Sequence, residues 1–288
     1  MTLKYLQNIE ILQDVIGKQL RIISEEETDE PTGYMVKDGE VTELRLRQCS
    51  LSKIPEIIFE FTELELLDLI DNNIKVIPWQ IQWLKKLEHL YLTGNKISEL
   101  PDEIGYLERL ISLYLNRNSI YRLPYPLFKL TGLRILRLSM NKLMLLPREI
   151  ISLSNLVILD LSLNQLEALP DEICELPSLE VLDLTLNHIT LLPGNFGNLL
   201  QLKRFSLDGN LNFEVLPVSI TKLKNLEMLI LPNPVPFWEI DVQSWLKRLR
   251  EKGCIIRAEN RIPDMIDMMI PLEDKDAKFL QRKSLWDR

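Results

Sequence analysis

Two aspartates and two histidines are the side chains of this 288-residue chain best suited to chemistry. Asp160 and Asp183 each stand between two leucines and lie 23 residues apart in the sequence. Two carboxylates held side by side raise one pKa or bind a cation, which is what a cation-dependent hydrolase requires. His89 and His188, the two histidines of the chain, share a metal only if the fold brings them together. Both hypotheses therefore depend on the elements that carry these residues.

The composition is that of an ordinary globular protein and excludes several functions. The formal net charge is −8, whereas nucleic-acid binding needs a basic surface that neutralises phosphates. No apolar run approaches the roughly 18 residues of a membrane span, and the N-terminus MTLKYLQNIE has no export signal. Three widely spaced cysteines predict neither a disulfide framework nor a zinc site: Cys49, Cys174 and Cys254. We expect a cytoplasmic, monomeric protein without nucleic-acid binding, membrane insertion, metal or cofactor.

A repeat of 23 residues fills most of the chain. The segments LYLTGNKISELP (90–101), LYLNRNSIYRLP (113–124) and LRLSMNKLMLLP (136–147) share the consensus LxxLxLxxNxLxxLPxxIxxLxx. Full copies start at Val41, Leu64, Leu87, Leu110, Leu133, Leu156, Leu179 and Leu202, and a partial ninth copy starts at Leu226. The LxLxx part predicts a short strand with inward leucines, and the asparagine side chain is expected to bond turn backbone. Stacked copies then bury one continuous core.

These repeats resemble leucine-rich repeats. Their 23-residue length and Leu-Pro step resemble the intracellular Ras-suppressor, Scribble-like and plant Ras-group repeats, including stand-alone prokaryotic members. The resemblance implies an α/β solenoid: a leucine-rich-repeat horseshoe with a parallel concave β-sheet, about eight full repeats and a partial ninth, capped at both ends. It also implies a non-catalytic protein-interaction scaffold in small-GTPase-linked signalling, with a small GTPase or its regulator as partner. The alternative is a regulatory or targeting subunit of a phosphatase or another enzyme.

The repeats divide the chain into four segments. Residues 1–40 carry apolar residues at helical spacing and an Asp-Gly pair typical of a hairpin, so they are interpreted as an N-terminal cap. Residues 41–231 are the repeats. Residues 232–257, with an Asn-Pro turn, a helix from Asp241 and a strand CIIR, form the C-terminal cap. The apolar tail 258–288 either packs on this cap or docks a partner.

The solenoid decides between the chemical hypotheses. Four strand spacings separate the repeats of His89 and His188, so these side chains lie about 19 Å apart. Asp160 and Asp183 occupy the same position of adjacent repeats, about 5 Å apart, and the cation-dependent hydrolase remains a remote alternative. Because Leu-Asp-Leu is common in such repeats, a solvated acidic patch is the simpler interpretation. We predict no enzyme.

Positions three, five and seven of each repeat alternate with the inward leucines of its strand and face the concave side. Tyrosine and arginine dominate interface energies, and a row of aliphatic residues is expected to lie exposed beside them. The plainer alternative is a solvent face with cross-strand pairing, including Arg137 with Asp160. We predict a partner-binding surface made of Leu66, His89, Tyr91, Tyr114, Ile135, Arg137, Ile158, Asp160, Val181, Asp183 and Asp208. Replacing Tyr91 and Tyr114 by alanine is expected to leave the fold intact.

A second candidate surface lies on the convex side. Trp83 and Tyr106 share the twentieth position of consecutive repeats, and Phe128 stands one position earlier in the next repeat. The aromatic residues are either a contact surface or lateral packing that widens the core. The shift of one position favours packing.

Overall fold

The computed structural model describes residues 4–24, 30–232 and 239–257. The predicted Asn-Pro turn and the tail 258–288 lie outside these ranges. One sheet of eleven strands runs through the molecule in sequence order, with an antiparallel first pair and parallel pairs thereafter. Its strands are β1 (Thr32–Lys37), β2 (Glu40–Leu46), β3 (Leu66–Asp68), β4 (His89–Tyr91), β5 (Ser112–Tyr114), β6 (Ile135–Arg137), β7 (Ile158–Asp160), β8 (Val181–Asp183), β9 (Arg204–Ser206), β10 (Met228–Ile230) and β11 (Ile255–Arg257). The predicted solenoid with a parallel concave sheet is confirmed.

Short 3-10 helices form the side opposite the sheet. All but the seventh begin directly after the proline of the Leu-Pro step, whose ring fixes φ and removes a backbone donor. They span Glu56–Glu60, Trp79–Trp83, Asp102–Tyr106, Tyr125–Lys129, Arg148–Ser152, Asp171–Glu175, Phe196–Asn198 and Val218–Lys222. Tight helices of this kind return the chain to the next strand within one repeat.

The core lies between the sheet and the 3-10 helices. In the second repeat, Leu64, Leu67 and Leu69 from the strand side meet Ile74 and Ile81 from the return side, and all five are buried. The same positions are filled in each following repeat, so one apolar cluster runs the length of the solenoid. Hydrophobic burial of this stack is the main stabilising contribution.

A ladder of buried asparagines holds the turns after the strands. Asn141 is typical: its Nδ2 donates to the carbonyl oxygens of Leu115 and Leu138 at 2.9 and 3.0 Å, and its Oδ1 accepts from the amide of Ile120 at 2.9 Å. The ladder comprises Asn72, Asn95, Asn118, Asn141, Asn164, Asn187 and Asn210. The expected bonding of turn backbone by these amides is confirmed, and Cys49 takes the equivalent place in the first repeat.

Each end of the repeats carries an α-helix. Helix α1 (Lys4–Ile16) buries Ile9 and Leu12 and packs against the first 3-10 helix, and Gly17 follows it with φ of 64°. Helix α2 (Ile240–Glu251) packs against the last 3-10 helix, where Trp245 Nε1 donates to the carbonyl of Leu223 at 2.9 Å. The boundaries assigned to the four segments stay predictions. No helix in the described ranges is long and apolar enough to cross a membrane.

Candidate functional site

The parallel register places the predicted binding residues in straight rows across the concave side. Tyr91 pairs with Tyr114, Tyr114 with Arg137, Arg137 with Asp160, and Asp160 with Asp183 on successive strands β4 to β8. A parallel row from the same register contains Leu66, His89, Ser112, Ile135, Ile158 and Val181. The fold therefore brings the residues of these rows together as the repeat alignment predicts.

Aromatic and cationic groups contact one another at the centre of this surface. The rings of Tyr91 and Tyr114 meet edge to face, with centroids 4.8 Å apart. The guanidinium of Arg137 lies 5.6 Å from the centroid of Tyr114, a cation–π distance, and its Nη1 is 3.4 Å from Oδ2 of Asp160. The cross-strand pairing of Arg137 with Asp160 is thus present.

The aliphatic row is not exposed, which corrects the expectation from the sequence. Ile135 and Ile158 are 1% and 2% exposed and form, with Val157 and the 2% exposed Tyr114, an apolar cluster separate from the main core. Tyr91 and Val181 pack against this cluster and stay half-buried. Strand alternation predicts which side of the sheet a side chain faces, but its burial depends on what else packs on that side.

Val157 is the member of this cluster that the sequence analysis missed. It occupies the second position of its repeat, just before β7, where neighbouring repeats carry Arg134 and Glu180. A β-branched apolar residue among charged ones was the available signal. Its position beside Ile158 extends the cluster beyond the three positions expected to face the concave side.

The two aspartates of the predicted acidic patch lie in different surroundings. Oδ1 of Asp160 accepts from the amide and the hydroxyl of Ser162 at 3.1 and 2.7 Å, and Asp160 also pairs with Arg137. Asp183 accepts from the amide of Thr185 at 2.9 Å. Burial and the charge of Asp160 raise the pKa of Asp183 to about 6. The pair is suited to receive a cationic group from a ligand.

Two further ionisable residues belong to the predicted binding surface, Asp208 and His89. Burial raises the pKa of Asp208, whose Oδ1 accepts from the amide of Gly209 at 2.9 Å. Burial lowers the pKa of His89, so its imidazole is neutral at pH 7. His188 is exposed four repeats further along and outside the strands. Among the described residues, no three His, Cys, Asp or Glu side chains come together as metal ligands.

The residues of the second candidate surface differ in their exposure. Phe128 is 3% exposed and belongs to the core, which corrects its place in a contact surface, whereas Trp83 and Tyr106 are 44% and 49% exposed. The difference follows from the one-residue shift, because Phe59 occupies the same earlier position in its own repeat and is also buried. Trp79 stands edge to face with Trp83, at 5.1 Å between centroids. Four aromatic residues on the described 3-10 helices are therefore exposed: Trp79, Trp83, Tyr106 and Tyr125.

Comparison with known proteins finds the repeats and several similar structures. A family model described as leucine rich repeat matches residues 39–97, 85–143 and 131–189, which together cover 151 of 288 residues. A leucine-rich-repeat protein of Leptospira interrogans is 33% identical with a TM-score of 0.68, over 75% of this chain and 54% of that one. The leucine-rich repeat domain of the type III effector XopL is 29% identical with a TM-score of 0.64, over 75% and 76%.

A plant receptor structure is also similar. It is the ectodomain of the membrane receptor kinase GASSHO1/SCHENGEN3 from Arabidopsis thaliana in complex with CASPARIAN STRIP INTEGRITY FACTOR 2, 34% identical with a TM-score of 0.61, over 69% of this chain and 24% of that one. The chain thus spans about half the length of the Leptospira protein and about a quarter of the receptor ectodomain. A search of the curated proteins found no match.

Proposed function

Because the chain belongs to the leucine-rich repeat family, we propose that it is a non-catalytic scaffold that binds a protein partner on its concave sheet. The observation that carries this proposal is the apolar cluster on the concave side, which is separate from the main core. Apolar, aromatic and arginine side chains gathered on one face are the composition of interface centres. The acidic residues beyond the cluster add a means of selecting partners by charge.

Two of the similar structures support a polypeptide as the class of ligand. The GASSHO1/SCHENGEN3 ectodomain is in complex with CASPARIAN STRIP INTEGRITY FACTOR 2, and the plant peptide hormone receptor RGFR1 is in complex with RGF2. The RGFR1 structure is 28% identical to this chain with a TM-score of 0.55, over 72% of this chain and 37% of that one. A rigid curved sheet with a row of side chains at fixed spacing suits an extended segment or a protein edge.

The finer assignment follows from the resemblance in the sequence. The 23-residue repeat and the Leu-Pro step favour the intracellular Ras-suppressor type, with a cytoplasmic monomer that binds a small GTPase or its regulator. A regulatory subunit of a phosphatase or another enzyme is the alternative. Stoichiometric purification of an enzyme with this chain distinguishes it from a partner without activity.

Catalysis by Asp160 and Asp183 is less well supported than binding. Ser162 and Arg137 already donate to Asp160, and the amide of Thr185 donates to Asp183. These bonds hold both carboxylates in place, and the charge of Asp160 is already paired with Arg137. The local geometry favours recognition over the activation of a water molecule.

Partner capture by surface variants of the full chain tests the proposal. Leu66→Arg and Asp208→Arg alter half-buried positions near the two ends of the concave face, and Tyr125→Arg alters a convex residue that is 71% exposed. We expect each concave variant to lower capture of a partner from native lysate by about tenfold, because a misplaced charge at an interface costs at least about 1.4 kcal/mol. The convex control should capture as the natural chain does. Undiminished capture by both concave variants would contradict the proposed face.

A further inference from the structure

A row of alternating carboxylates and aromatic rings crosses the first four repeats on the convex side. Its members are the first residues of consecutive 3-10 helices: Glu56, Trp79, Asp102 and Tyr125. All four side chains are exposed, and each follows the proline of its own repeat. The repeat therefore sets these side chains at a regular spacing. Arg148 begins the next 3-10 helix and ends this acidic-aromatic row.

Contacts between neighbouring repeats order the surface around the row. The 3-10 helices of repeats two, three and four pack against one another. Trp79 stands edge to face with Trp83, and Lys85 of repeat two lies 5.0 Å from the ring centroid of Tyr106 in repeat three. Lys85 Nζ also donates to the carbonyl oxygen of Tyr106 at 3.4 Å. Rings that are already held in place lose little conformational entropy when a ligand binds.

The area of the exposed rings fits a short segment better than a second copy of the chain. Four side chains contribute to it: Trp79, Trp83, Tyr106 and Tyr125. About half of each is exposed, which gives roughly 400 Å² in total, because one aromatic side chain offers about 150–250 Å². Apolar patches of this size often serve as interaction sites. A stable dimer, however, buries about 800 Å² on each partner around an apolar centre.

The carboxylates of the row select a basic ligand. Glu56 and Asp102 begin the 3-10 helices on either side of Trp79, and neither pairs with a cation among the described residues. Glu103 adds a third carboxylate next to Asp102. An arginine placed over Trp79 and between these carboxylates gains both a cation–π contact and charge-assisted hydrogen bonds. The charge of the row is therefore complementary to a basic segment.

The spacing of the row matches one backbone conformation. Members two repeats apart, such as Trp79 and Tyr125, are separated by at least about 10 Å, which is twice the strand spacing. A polyproline II helix rises about 3.1 Å per residue with three residues per turn, so residues i and i+3 lie about 9 Å apart on one edge. The adjacent edge is offset by about 3–6 Å, close to one repeat spacing. One edge of such a helix therefore meets the aromatic rings while the next meets the carboxylates.

We propose that Glu56, Trp79, Asp102 and Tyr125 bind a proline-rich, basic polypeptide segment in the polyproline II conformation. Prolines at i and i+3 pack on Trp79 and Tyr125, and arginines on the adjacent edge pair with Glu56 and Asp102. Arg148 ends the site because it repels a further basic residue. The row lies on the side opposite the sheet, so the chain holds two partners at once when its concave face is also occupied. That consequence rests on the proposed function, whereas the convex site itself does not.

Fluorescence anisotropy of a labelled peptide of four Arg-Pro-Pro repeats, titrated with the full chain, tests the site. We expect saturable binding that weakens at least about tenfold with Trp79→Ala and with Asp102→Lys, because each removes one of the two kinds of contact. The control is Val218→Ala, which should bind as the natural chain does. Val218 begins the last 3-10 helix, as Trp79 begins the second, and is 45% exposed.

Two further peptides separate charge from conformation. Four Glu-Pro-Pro repeats keep the polyproline II conformation without the positive charge, and four Arg-Gly-Ser repeats keep the charge in a flexible chain. Both should bind at least about tenfold more weakly than the Arg-Pro-Pro peptide. Equal affinity for either one would overturn the proposed ligand class.

The proposal is also overturned if the natural chain does not bind the Arg-Pro-Pro peptide, or if Trp79→Ala binds it equally well. Sedimentation without peptide tests the competing occupant: a dimer that Trp79→Ala dissociates would assign the patch to a second copy and contradict the proposal. Should Trp79→Ala melt early by circular dichroism, Tyr125→Arg at its 71% exposed position replaces it, and undiminished peptide binding by that variant overturns the proposal. Tyr125→Arg is expected to lose the peptide and keep concave capture, so the two proposals fail separately.

Discussion

The ring of Tyr91 stands edge-on to the ring of Tyr114, with the planes at 84° and the centroids 4.8 Å apart. The two residues occupy equivalent positions in neighbouring repeats, but Tyr91 is half-buried and Tyr114 is almost completely buried. Equivalent sequence positions therefore contribute differently. Tyr91 keeps part of its surface accessible, whereas Tyr114 is a buried member of the apolar cluster on the concave side.

Tyr114→Ala is expected to destabilise the protein rather than leave the fold intact. It removes a buried ring together with its contact to Tyr91 and its cation–π contact to Arg137. Loss of a buried aromatic side chain costs about 3 kcal/mol. Urea unfolding followed by circular dichroism measures the change. Tyr125→Ala, at an exposed convex position, should shift the midpoint little, and equal midpoints for both variants would refute the structural role of Tyr114.

Asn141→Ala is expected to lower the free energy of unfolding by about 2 kcal/mol, because the buried amide of Ile120 loses its acceptor. The carbonyl oxygens of Leu115 and Leu138 each lose one of two amide donors and keep the bonds from Asn118 and Asn164. The matched control is Asn155→Ala. Asn155 is exposed and donates one bond, to the carbonyl of Thr131 at 2.8 Å, so its loss should cost less than about 1 kcal/mol. Denaturant titration of both variants provides the comparison. Similar losses at the two sites would show that the ladder does not stabilise the turns as described.

Asp183→Asn is expected to change how stability depends on pH. The pKa of Asp183 is raised from 3.8 to about 6 by burial and by Asp160, so the folded protein keeps this proton where the unfolded chain has lost it. Stability contributed by the group is therefore present below about pH 4 and is lost as pH rises to about 6. The asparagine variant should gain about 1–3 kcal/mol relative to the natural chain across this window.

Thermal and urea unfolding at several pH values between 4 and 8 measure this difference. Asp102→Asn, at an exposed convex position, serves as the control and should follow the pH dependence of the natural chain. A constant difference between Asp183→Asn and the natural chain across the range would show that Asp183 titrates normally.

Gly197→Ala is expected to destabilise the return side of the seventh repeat. A Cβ at Gly197 would overlap the carbonyl oxygen of Ser219 in the neighbouring 3-10 helix, so the two repeats would have to move apart. Overpacking of this kind costs about 1–3 kcal/mol. Gly194→Ala, three residues earlier, is the control because a Cβ there meets no atom within 4 Å. Melting temperatures of the two variants should differ by several degrees, and indistinguishable values would contradict the close approach.

Particular residues show why parts of the site were predictable and others were not. Tyr91, Tyr114, Arg137, Asp160 and Asp183 were correctly placed in one row, because the 23-residue register carries each position directly to the next strand. The exposure of Ile135 and Ile158 was predicted wrongly, because the repeat pattern does not specify how the concave side chains pack on one another. Phe128 was separable from Trp83 by its shift of one position, since each turn of the 3-10 helix has an inward and an outward side.

The sequence by itself determined the solenoid, its register, the leucine core and the asparagine ladder. These features arise from contacts between neighbouring copies of one short pattern, and such contacts repeat wherever the pattern repeats. Only the tertiary structure decided which concave side chains are accessible and which convex aromatics enter the core. It also decided which groups bond the carboxylates of Asp160 and Asp183. Those properties depend on the particular side chains of adjacent repeats, which a one-dimensional period does not encode.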